Sequence, residues 1–243
     1  MAHNKNCGDF FDALSNLGRE PIREDIMGLY AKYCLPRLID LALRNKETAR
    51  IRAAWVPQAR GDVLEIGIGS GLNLPFYSAD VRHIYGVEPS AELREMARKK
   101  TGADAIRVDF LSQSAEDPLP LPEASIDTIV ITWTLCSIAD PSRALQQMKR
   151  ALKNTGRLIF VEHGSSPDPG VARWQDWLTP VWKRVTGGCH LNRKIDDLLR
   201  AGGFRITDLT TGYLAGPRPM AYNYQGVAEK DTTRGPTPSA RTP

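Results

Sequence analysis

Three glycines alternate with other residues directly after an apolar stretch of the chain. The stretch Asp62–Ile66 is followed by Gly67, Gly69 and Gly71, and Glu65 precedes the first of them. Glycine adopts positive φ angles and lets the backbone approach a bound ligand closely. Glycine-rich turns between a strand and a helix also occur without any ligand, so the spacing alone leaves both interpretations open.

A second acid, Glu88, follows about 20 residues later, at the end of the next predicted strand. A carboxylate there can accept hydrogen bonds from both hydroxyls of a ribose. Alternatively, it supplies negative charge to a helix that begins near Ser90. Ser114, Ala115 and Glu116 follow the third predicted strand, where an adenine edge would lie, although they also suit a plain surface loop. Together these groups predict a nucleoside-containing cofactor.

The glycine spacing distinguishes between nucleoside cofactors. Dinucleotide-binding folds use G-x-G-x-x-G, in which the third glycine packs a helix on a strand. This chain has G-x-G-x-G instead. The spacing therefore counts against a nicotinamide cofactor and an oxidoreductase.

Two histidines are candidates for proton transfer. His163 follows the fifth predicted strand, at the edge where doubly wound sheets bind their ligands. An imidazole, whose ordinary pKa is about 6.5, could act there as a general base, with a structural histidine as the alternative. His190 is the second candidate for this general base. Cys189 and Arg193 could line an acceptor pocket with it, or they could simply mark a helix end followed by a new helix.

Aromatic residues cluster in two places. Trp174, Trp177 and Trp182 recur at roughly helical spacing, which predicts either a hydrophobic wall over an apolar acceptor, a membrane-facing surface, or ordinary helix packing. Tyr30 and Tyr33 could close over a cationic ligand, because an aromatic face attracts a cation, or they could belong to a core stripe.

The pattern of elements predicts an α/β protein. Residues 22–54 have helical periodicity, and Pro36 is expected to kink or break the helix. Five predicted strands then alternate with helices, which implies a parallel sheet covered on both faces. The fourth helical segment is predicted to span residues 141–156. Two further helices follow the fifth strand. A closing hairpin is then predicted to add an antiparallel pair of strands to the sheet edge. We therefore predict a Rossmann-like, doubly wound, mostly parallel seven-stranded sheet with an N-terminal helical arm and a helical insertion after strand 5.

The same pattern divides the chain into three parts. Residues 1–56 are predicted to form an N-terminal helical arm or lid, and residues 57–230 the cofactor-binding domain. Residues 231–243 contain three prolines and almost no apolar side chains, which is typical of a disordered tail.

Composition excludes several classes of function. The chain has 243 residues and a net charge of +4, too small to indicate nucleic-acid binding. No apolar run reaches the roughly 18–20 residues that cross a bilayer, and the N-terminus lacks a secretory signal. The four cysteines, Cys7, Cys34, Cys136 and Cys189, lie far apart without a C-x-x-C pair. We therefore expect a cytoplasmic protein with free thiols, no disulfide framework and no metal site.

Several segments resemble the class I S-adenosylmethionine-dependent methyltransferases, particularly their quinone- and sterol-methylating branch. They are LEIGIGSGLNLPFY, YGVEPS, AEDPLPLPEASIDTIV and CSIADPSRALQQMKRALKNTGRLIFVEH, which together span about residues 60–165. One departure is Asn154-Thr155-Gly156, where the family usually has Pro-Gly-Gly. The resemblance implies S-adenosylmethionine as cofactor and S-adenosylhomocysteine as product. The cofactor-binding residues it implies, with our additions, are Glu65, Gly67, Gly69, Gly71, Glu88, Pro89, Ser114, Ala115, Glu116, Thr132 and Tyr30.

The C-terminal third resembles the small-thiol S-methyltransferases of the methyltransferase-like group. The shared features are E-H after the fifth strand, tryptophans before L-x-P-x-W, and a G-C-x-L-x-R element. Lipid N-methyltransferases have the same layout. The substrate-pocket residues expected on this basis are Tyr33, Trp133, Trp174, Trp177, Trp182, Cys189 and Arg193.

Three hypotheses follow for the function. The first is methyl transfer to a small thiol such as hydrogen sulfide, methanethiol or an alkyl thiol. The second is N- or C-methylation of a phospholipid headgroup or quinone precursor at a membrane surface, with peripheral membrane contact. The third is a nucleotide-binding module without catalysis. All three predict a small-molecule ligand and no nucleic acid, and none predicts an oligomeric state.

Overall fold

The computed structural model describes Tyr30, residues 34–101 and residues 106–232 of the chain. Within these ranges seven strands form one sheet in the order β3-β2-β1-β4-β5-β7-β6. The strands are β1 (Gly61–Ile66), β2 (Val81–Val87), β3 (Arg107–Leu111), β4 (Ile126–Thr132), β5 (Leu152–His163), β6 (Phe204–Tyr213) and β7 (Tyr222–Lys230). Tyr33, the first 29 residues and nearly all of the predicted C-terminal tail lie outside the described residues.

Strand direction agrees with the sequence prediction. The pairs β1–β2, β1–β4, β2–β3 and β4–β5 are parallel. Strand β7 runs antiparallel between β5 and β6. The prediction of a Rossmann-like, mostly parallel seven-stranded sheet closed by an antiparallel hairpin is therefore confirmed.

Seven α-helices lie within the described ranges. They are α1 (Leu35–Ala42), α2 (Lys46–Trp55), α3 (Ala91–Arg98), α4 (Pro141–Ala151), α5 (Pro169–Val185), α6 (Ile195–Ala201) and α7 (Arg218–Ala221), with 3₁₀ turns at Val56–Gln58 and Leu74–Phe76. One core cluster joins the sheet to α4 and α6. A second core joins the opposite set of strand side chains to Ile51 and Trp55 of α2. Helices therefore cover both faces, as a parallel sheet requires.

Two predicted helix boundaries are wrong. Within the predicted helix over residues 22–54, the described part breaks at Asn45, whose side chain accepts hydrogen bonds from the backbone of Glu47 and Thr48 and so begins α2. The α-helical run begins beside Pro36, which lies in the first turn of α1, where proline is well tolerated. Helix α4 ends at Ala151 rather than at residue 156, because Leu152 already pairs with β4.

The cysteines differ from one another in bonding state. Cys34 is disulfide-bonded, so the expectation that all four cysteines are free thiols is wrong for this residue. Cys136 and Cys189 are free. Cys7 lies outside the described residues.

No helix in the described ranges combines the length and apolarity needed to cross a bilayer.

Candidate functional site

Two adjoining cavities open where the parallel strands end. The first, of about 420 Å³, is bordered by the ends of β1, β2 and β4 and by the loops after them. The second, of about 290 Å³, lies toward α5 and the β6–β7 connection. Five residues border both cavities: Ile39, Leu43, Trp133, Ser137 and Thr186. A ligand in one cavity would therefore lie next to a ligand in the other.

The glycines of the first loop have different structural roles. All three have positive φ angles, which favour glycine. A Cβ on Gly67 would collide with the Thr134 side chain, and one on Gly71 would lie 2.7 Å from Leu74 and 3.1 Å from Ala97. A Cβ on Gly69 would meet no atom closer than 3.8 Å. Gly69 therefore faces open cavity space, whereas Gly71 is required for packing against α3.

Glu88 borders the first cavity together with Pro89. Its carboxylate accepts a 2.8 Å hydrogen bond from the backbone N–H of Ser90, and another from that of Gly69. Burial raises the pKa of Glu88 above its ordinary value, and these hydrogen bonds partly oppose the shift. The acid thus fixes the glycine loop and leaves a carboxylate at the cavity.

Ser114, Ala115 and Glu116 also border the first cavity. Glu116 accepts a 3.0 Å hydrogen bond from the backbone N–H of Ala139, which ties its loop to the start of α4. The residues predicted to bind the ribose and the adenine thus border a single cavity.

Glu65 is fully buried at the floor of the first cavity. It accepts hydrogen bonds from Asn73 at 2.8 Å and from Tyr77 at 2.8 Å. Desolvation raises the pKa of Glu65 to about 7, against the lowering effects of these hydrogen bonds and of the nearby Arg52 guanidinium. The acid therefore positions the loop after the glycines.

Asn73 and Arg52 were missed by sequence reasoning. Asn73 donates to Thr132, which also borders the cavity, at 3.0 Å, and accepts from the guanidinium of Arg52 at 3.0 Å. A polar residue just beyond the glycines was the available signal for Asn73. Arg52 gave no such signal, because it lies on a helix of a different segment.

Helix α1 is fastened over the glycine loop by a buried acid that the sequence analysis also missed. Asp40 accepts a short hydrogen bond from the Ser70 hydroxyl, and the Lys100 ammonium lies 3.5 Å from its carboxylate. Through Ile39, Asp40 and Leu43, this region of the chain contributes to the wall of the first cavity.

Trp133 separates the two cavities. It has a positive φ of 49°, which is uncommon for a bulky residue and is maintained only by its surroundings. Its backbone N–H donates to Val161 at 2.7 Å and its indole donates to Asn223 at 3.0 Å. The Arg52 guanidinium lies 4.7 Å from its ring centroid. These contacts hold the ring between the sites.

Glu162 shapes the loop that follows β4. Its carboxylate accepts hydrogen bonds from the backbone N–H groups of Thr134, Leu135 and Cys136 at 2.8, 2.9 and 3.2 Å. Burial raises the pKa of Glu162 to about 7. The loop is thereby fixed beside the second cavity.

A sulfur- and nitrogen-bearing cluster forms one wall of the second cavity. Cys136, His163 and Cys189 all border it. The Cys136 and Cys189 sulfurs are 3.5 Å apart, and Cys189 Sγ is 3.8 Å from His163 Nδ1. The hydrogen bond between the two thiols lowers the pKa of Cys189 and raises that of Cys136. Sequence reasoning singled out His163 and Cys189 as candidate site residues, but not Cys136.

The three tryptophans do not form a common wall. Trp182 borders the second cavity. Trp174 and Trp177 are 58% and 70% exposed and border neither cavity, which corrects their assignment to the substrate pocket. Helical geometry explains the difference, because residues three apart share a face of α5 whereas Trp182 is rotated away from that face.

Four other predicted site residues lie outside both cavity linings: Gly71, His190, Arg193 and Tyr30. His190 is hydrogen-bonded through Nδ1 to the carbonyl of Cys136, which corrects its proposed place beside the acceptor. Arg193 donates to the Leu135 carbonyl at 2.6 Å and thus supports the loop from behind. The Tyr30 hydroxyl donates to the Val185 carbonyl at the end of α5.

Residues 64–160 match the protein-family model described as "Methyltransferase domain". The thiol S-methyltransferase TMT1B of Rattus norvegicus is 34% identical over 135 residues, which is 54% of this chain and 55% of that protein. The phosphatidylethanolamine N-methyltransferase of Cereibacter sphaeroides is 34% identical over 119 residues, covering 48% and 58%. The chain therefore spans somewhat more than half the length of these curated relatives.

A solved structure shares the fold. The S-adenosylmethionine-dependent methyltransferase of Thermotoga maritima, described as a possible histamine N-methyltransferase, superposes with a TM-score of 0.58 at 24% identity. The match covers 82% of this chain and 98% of that one.

Proposed function

Because the chain belongs to the class I S-adenosylmethionine-dependent methyltransferases, we propose that it transfers a methyl group from this cofactor to a small thiol. The observation that carries the proposal is the adjoining pair of cavities. One has the glycine loop and acids that suit a nucleoside, and the other has an apolar wall that contains sulfur and imidazole groups.

The first cavity fits S-adenosylmethionine in three respects. Gly69 leaves open space where a side chain would project. Glu88 presents a carboxylate suited to two ribose hydroxyls. Ser114, Ala115 and Glu116 would flank the adenine. When bound, the cofactor supplies an electrophilic methyl group on a sulfonium.

The second cavity favours a thiol over a hydroxyl. Its apolar lining includes Trp182, Leu191, Leu214 and Met220. Such a lining excludes water, and a thiolate loses less hydration than an alkoxide when it enters. Thiols also ionise far more readily than alcohols, with an ordinary pKa of about 8.5. The acceptor loses this proton as its sulfur bonds to the methyl carbon, and the products are a thioether and S-adenosylhomocysteine.

The chain's own residues would act chiefly by positioning. Trp133 would hold acceptor and donor on either side of one ring, and Glu162 would hold the loop that carries Cys136. Alignment of two reactants removes much of the entropic cost of their encounter.

A matched pair of acceptors tests the proposal. The purified protein is incubated with S-adenosylmethionine and either ethanethiol or ethanol, and release of S-adenosylhomocysteine is measured. We expect turnover with the thiol only. Absence of turnover with ethanethiol, hydrogen sulfide and methanethiol alike would rule out a small-thiol acceptor.

A second candidate function is methylation of a phospholipid headgroup or quinone precursor. The observation that favours it is a set of exposed apolar side chains on two helices that also border the second cavity: Leu38 and Leu41 on α1, and Trp174, Trp177, Val181 and Val185 on α5. Exposed cationic side chains, including Lys183 and Arg184, lie on α5 as well. This combination is typical of helices that bind the membrane interface.

Vesicles distinguish the two candidates. Phosphatidylethanolamine vesicles are offered as acceptor beside ethanethiol, with phosphatidylcholine vesicles as the control that lacks a methylatable amine. Methyl transfer to phosphatidylethanolamine without transfer to any thiol would favour the lipid function.

A further inference from the structure

The cluster of Cys136, His163 and Cys189 has the composition of a three-ligand metal site. One donor atom from each residue lies within 4.8 Å of the others. The three residues come from different parts of the fold: the loop after β4, the end of β5 and the loop after α5. Two thiolates and one imidazole are a donor set that zinc uses in catalytic sites with an open fourth position.

We propose that Cys136, His163 and Cys189 bind a zinc ion whose fourth coordination position faces the second cavity and takes the acceptor as a thiolate. The metal site stands on its own geometry, whereas the identity of its fourth ligand rests on the proposed thiol methylation.

The spacing of the donor atoms suits a tetrahedral ion. Zn–S bonds of about 2.3 Å and Zn–N bonds of about 2.0–2.1 Å place two sulfurs about 3.8 Å apart and a sulfur and a nitrogen about 3.6 Å apart. The observed separations are 3.5 Å between the sulfurs and 3.8 Å from Cys189 Sγ to His163 Nδ1. The third pair, Cys136 Sγ and the His163 ring nitrogen, lies within 4.8 Å, so the side chains must close around the ion at that pair to complete the arrangement.

The imidazole of His163 is not committed to another partner of normal strength. It is 7% exposed, and its Nε2 has no hydrogen-bond partner among the described residues. Its ring contacts are with the two cysteines: Nδ1 lies 3.8 Å from Cys189 Sγ, and the ring also hydrogen-bonds weakly to the Cys136 thiol. Buried polar atoms are normally paired, so this histidine calls for an explanation. A metal bound at Nδ1 would give that nitrogen a strong partner, and Nε2 would keep its proton.

The surroundings would support two thiolates. Trp182 donates a hydrogen bond to Cys189, and the charge of Arg193 acts favourably on the anionic forms of both cysteines. The backbone of Cys136 is fixed by Glu162. Groups that hold the ligands in place raise metal affinity.

The ion would replace a free base in activating the acceptor. On zinc binding, Cys136 and Cys189 release their protons to solvent. The acceptor thiol then displaces a bound water, forms a Zn–S bond and gives its proton to water. Metal coordination deprotonates thiols outright, so a thiolate would be present at neutral pH. His163 would act as a ligand rather than as the general base expected from sequence.

Sequence spacing could not reveal this site. Zinc motifs are recognised by cysteines two to four residues apart, whereas Cys136 and Cys189 are separated by more than fifty residues. They meet only because β4 and β5 pair side by side and the chain returns after α5.

Cobalt substitution tests the proposal without relying on turnover. The full-length protein is freed of metal under reducing conditions and titrated with Co²⁺ and with Zn²⁺. We expect one ion per chain and a sulfur-to-cobalt charge-transfer band. The variants Cys136→Ser, Cys189→Ser and His163→Gln should lose this stoichiometry, while His190→Gln, which alters a histidine outside the cluster, should keep it. Thermal unfolding and S-adenosylhomocysteine binding confirm that each variant is folded.

Addition of ethanethiol to the cobalt form tests the fourth position. A third sulfur ligand should intensify the charge-transfer band, and ethanol should leave it unchanged. The site is refuted by a missing band, by a band that persists in both cysteine variants, or by a Cys136–Cys189 disulfide that forms in place of metal binding. Metal binding without thiol turnover would refute the proposed acceptor alone. Equal thiol turnover by the metal-free protein would refute metal activation alone.

Discussion

Glu88 is the side chain whose removal should most directly weaken cofactor binding. Its carboxylate lies at the first cavity and also holds Gly69. Replacement of Glu88 by alanine should weaken S-adenosylhomocysteine binding by roughly 1.5–3 kcal/mol, or about ten- to a hundredfold, the range for hydrogen bonds to a charged group. Isothermal titration calorimetry measures the change.

Glu95→Ala is the matched control, because Glu95 is an exposed acid on the next helix. Its affinity should equal that of the wild type. Equal affinity in Glu88→Ala as well would show that this acid does not contact the ribose.

Gly69 and Gly71 should respond differently to the same substitution. Both have positive φ, so an alanine at either position costs about 1–2 kcal/mol of backbone strain. At Gly71 the added methyl also collides with Leu74 and Ala97, which adds roughly 1–3 kcal/mol of overpacking. At Gly69 the methyl projects into open space instead.

We therefore expect Gly71→Ala to lower the free energy of unfolding more than Gly69→Ala does. Relative to its loss in free energy of unfolding, Gly69→Ala should lose more cofactor affinity than Gly71→Ala. Urea unfolding and calorimetry on the two variants provide the comparison. The reverse order would contradict the assignment of Gly69 to the ligand.

Residue types that recur at fixed spacing were recognisable in the sequence, and isolated ones were not. Gly67, Gly69 and Glu88 follow strand ends at a regular distance, so their place beside one cavity could be predicted. Asn73 and Arg52 act through contacts between segments far apart in the chain, as do Asp40 and Cys136. No local pattern encodes such contacts.

At the scale of elements, periodicity predicted the strands well and the ends of helices less well. Lys153 and Asn154 are polar and suit a helix, but pairing with β4 extends β5 as far back as Leu152. Tertiary pairing thus outweighs local preference. For the same reason helical spacing identified α5 without showing which face is turned toward the cavity.

The two faces of α5 give a prediction with a built-in control. Trp182→Ala should raise the KM for the acceptor by on the order of tenfold, equivalent to about 1–2 kcal/mol of lost apolar contact, while cofactor affinity is unchanged. Trp177→Ala should leave the KM for a soluble thiol unchanged, because that ring is 70% exposed. Steady-state kinetics with ethanethiol provides both values.

The exposed face can be tested separately by vesicle sedimentation. If it binds lipid, Trp177→Ala should reduce binding to anionic vesicles and Trp182→Ala should not. A rise in the thiol KM for Trp177→Ala, with none for Trp182→Ala, would contradict the cavity assignment.

At the scale of the whole molecule, strand order determines which residues meet. Alternating strands and helices allowed the parallel sheet to be predicted, and its carboxyl edge then had to carry the ligand site. The return of the chain through β7 between β5 and β6 places Asn223 against Trp133 and closes the second cavity. That closure depends on packing of the hairpin, which the sequence pattern did not specify beyond an edge position.

The buried acid Glu65 should make the stability of the whole molecule depend on pH. Desolvation raises its pKa from an ordinary value of 4.5 to about 7 in the folded protein. Between these values the folded chain keeps a proton that the unfolded chain has lost, so the free energy of unfolding must fall as pH rises through this interval. The fall from Glu65 alone amounts to roughly 3 kcal/mol, at about 1.4 kcal/mol per pKa unit. Urea unfolding of the ligand-free protein between about pH 4.5 and 8 should show it. Glu65→Gln should flatten the slope by that amount, because glutamine does not titrate, whereas Glu95→Gln at the surface should preserve it. A slope unchanged in Glu65→Gln would mean that Glu65 is already ionised in the folded protein at low pH, stabilised by Arg52, Asn73 and Tyr77.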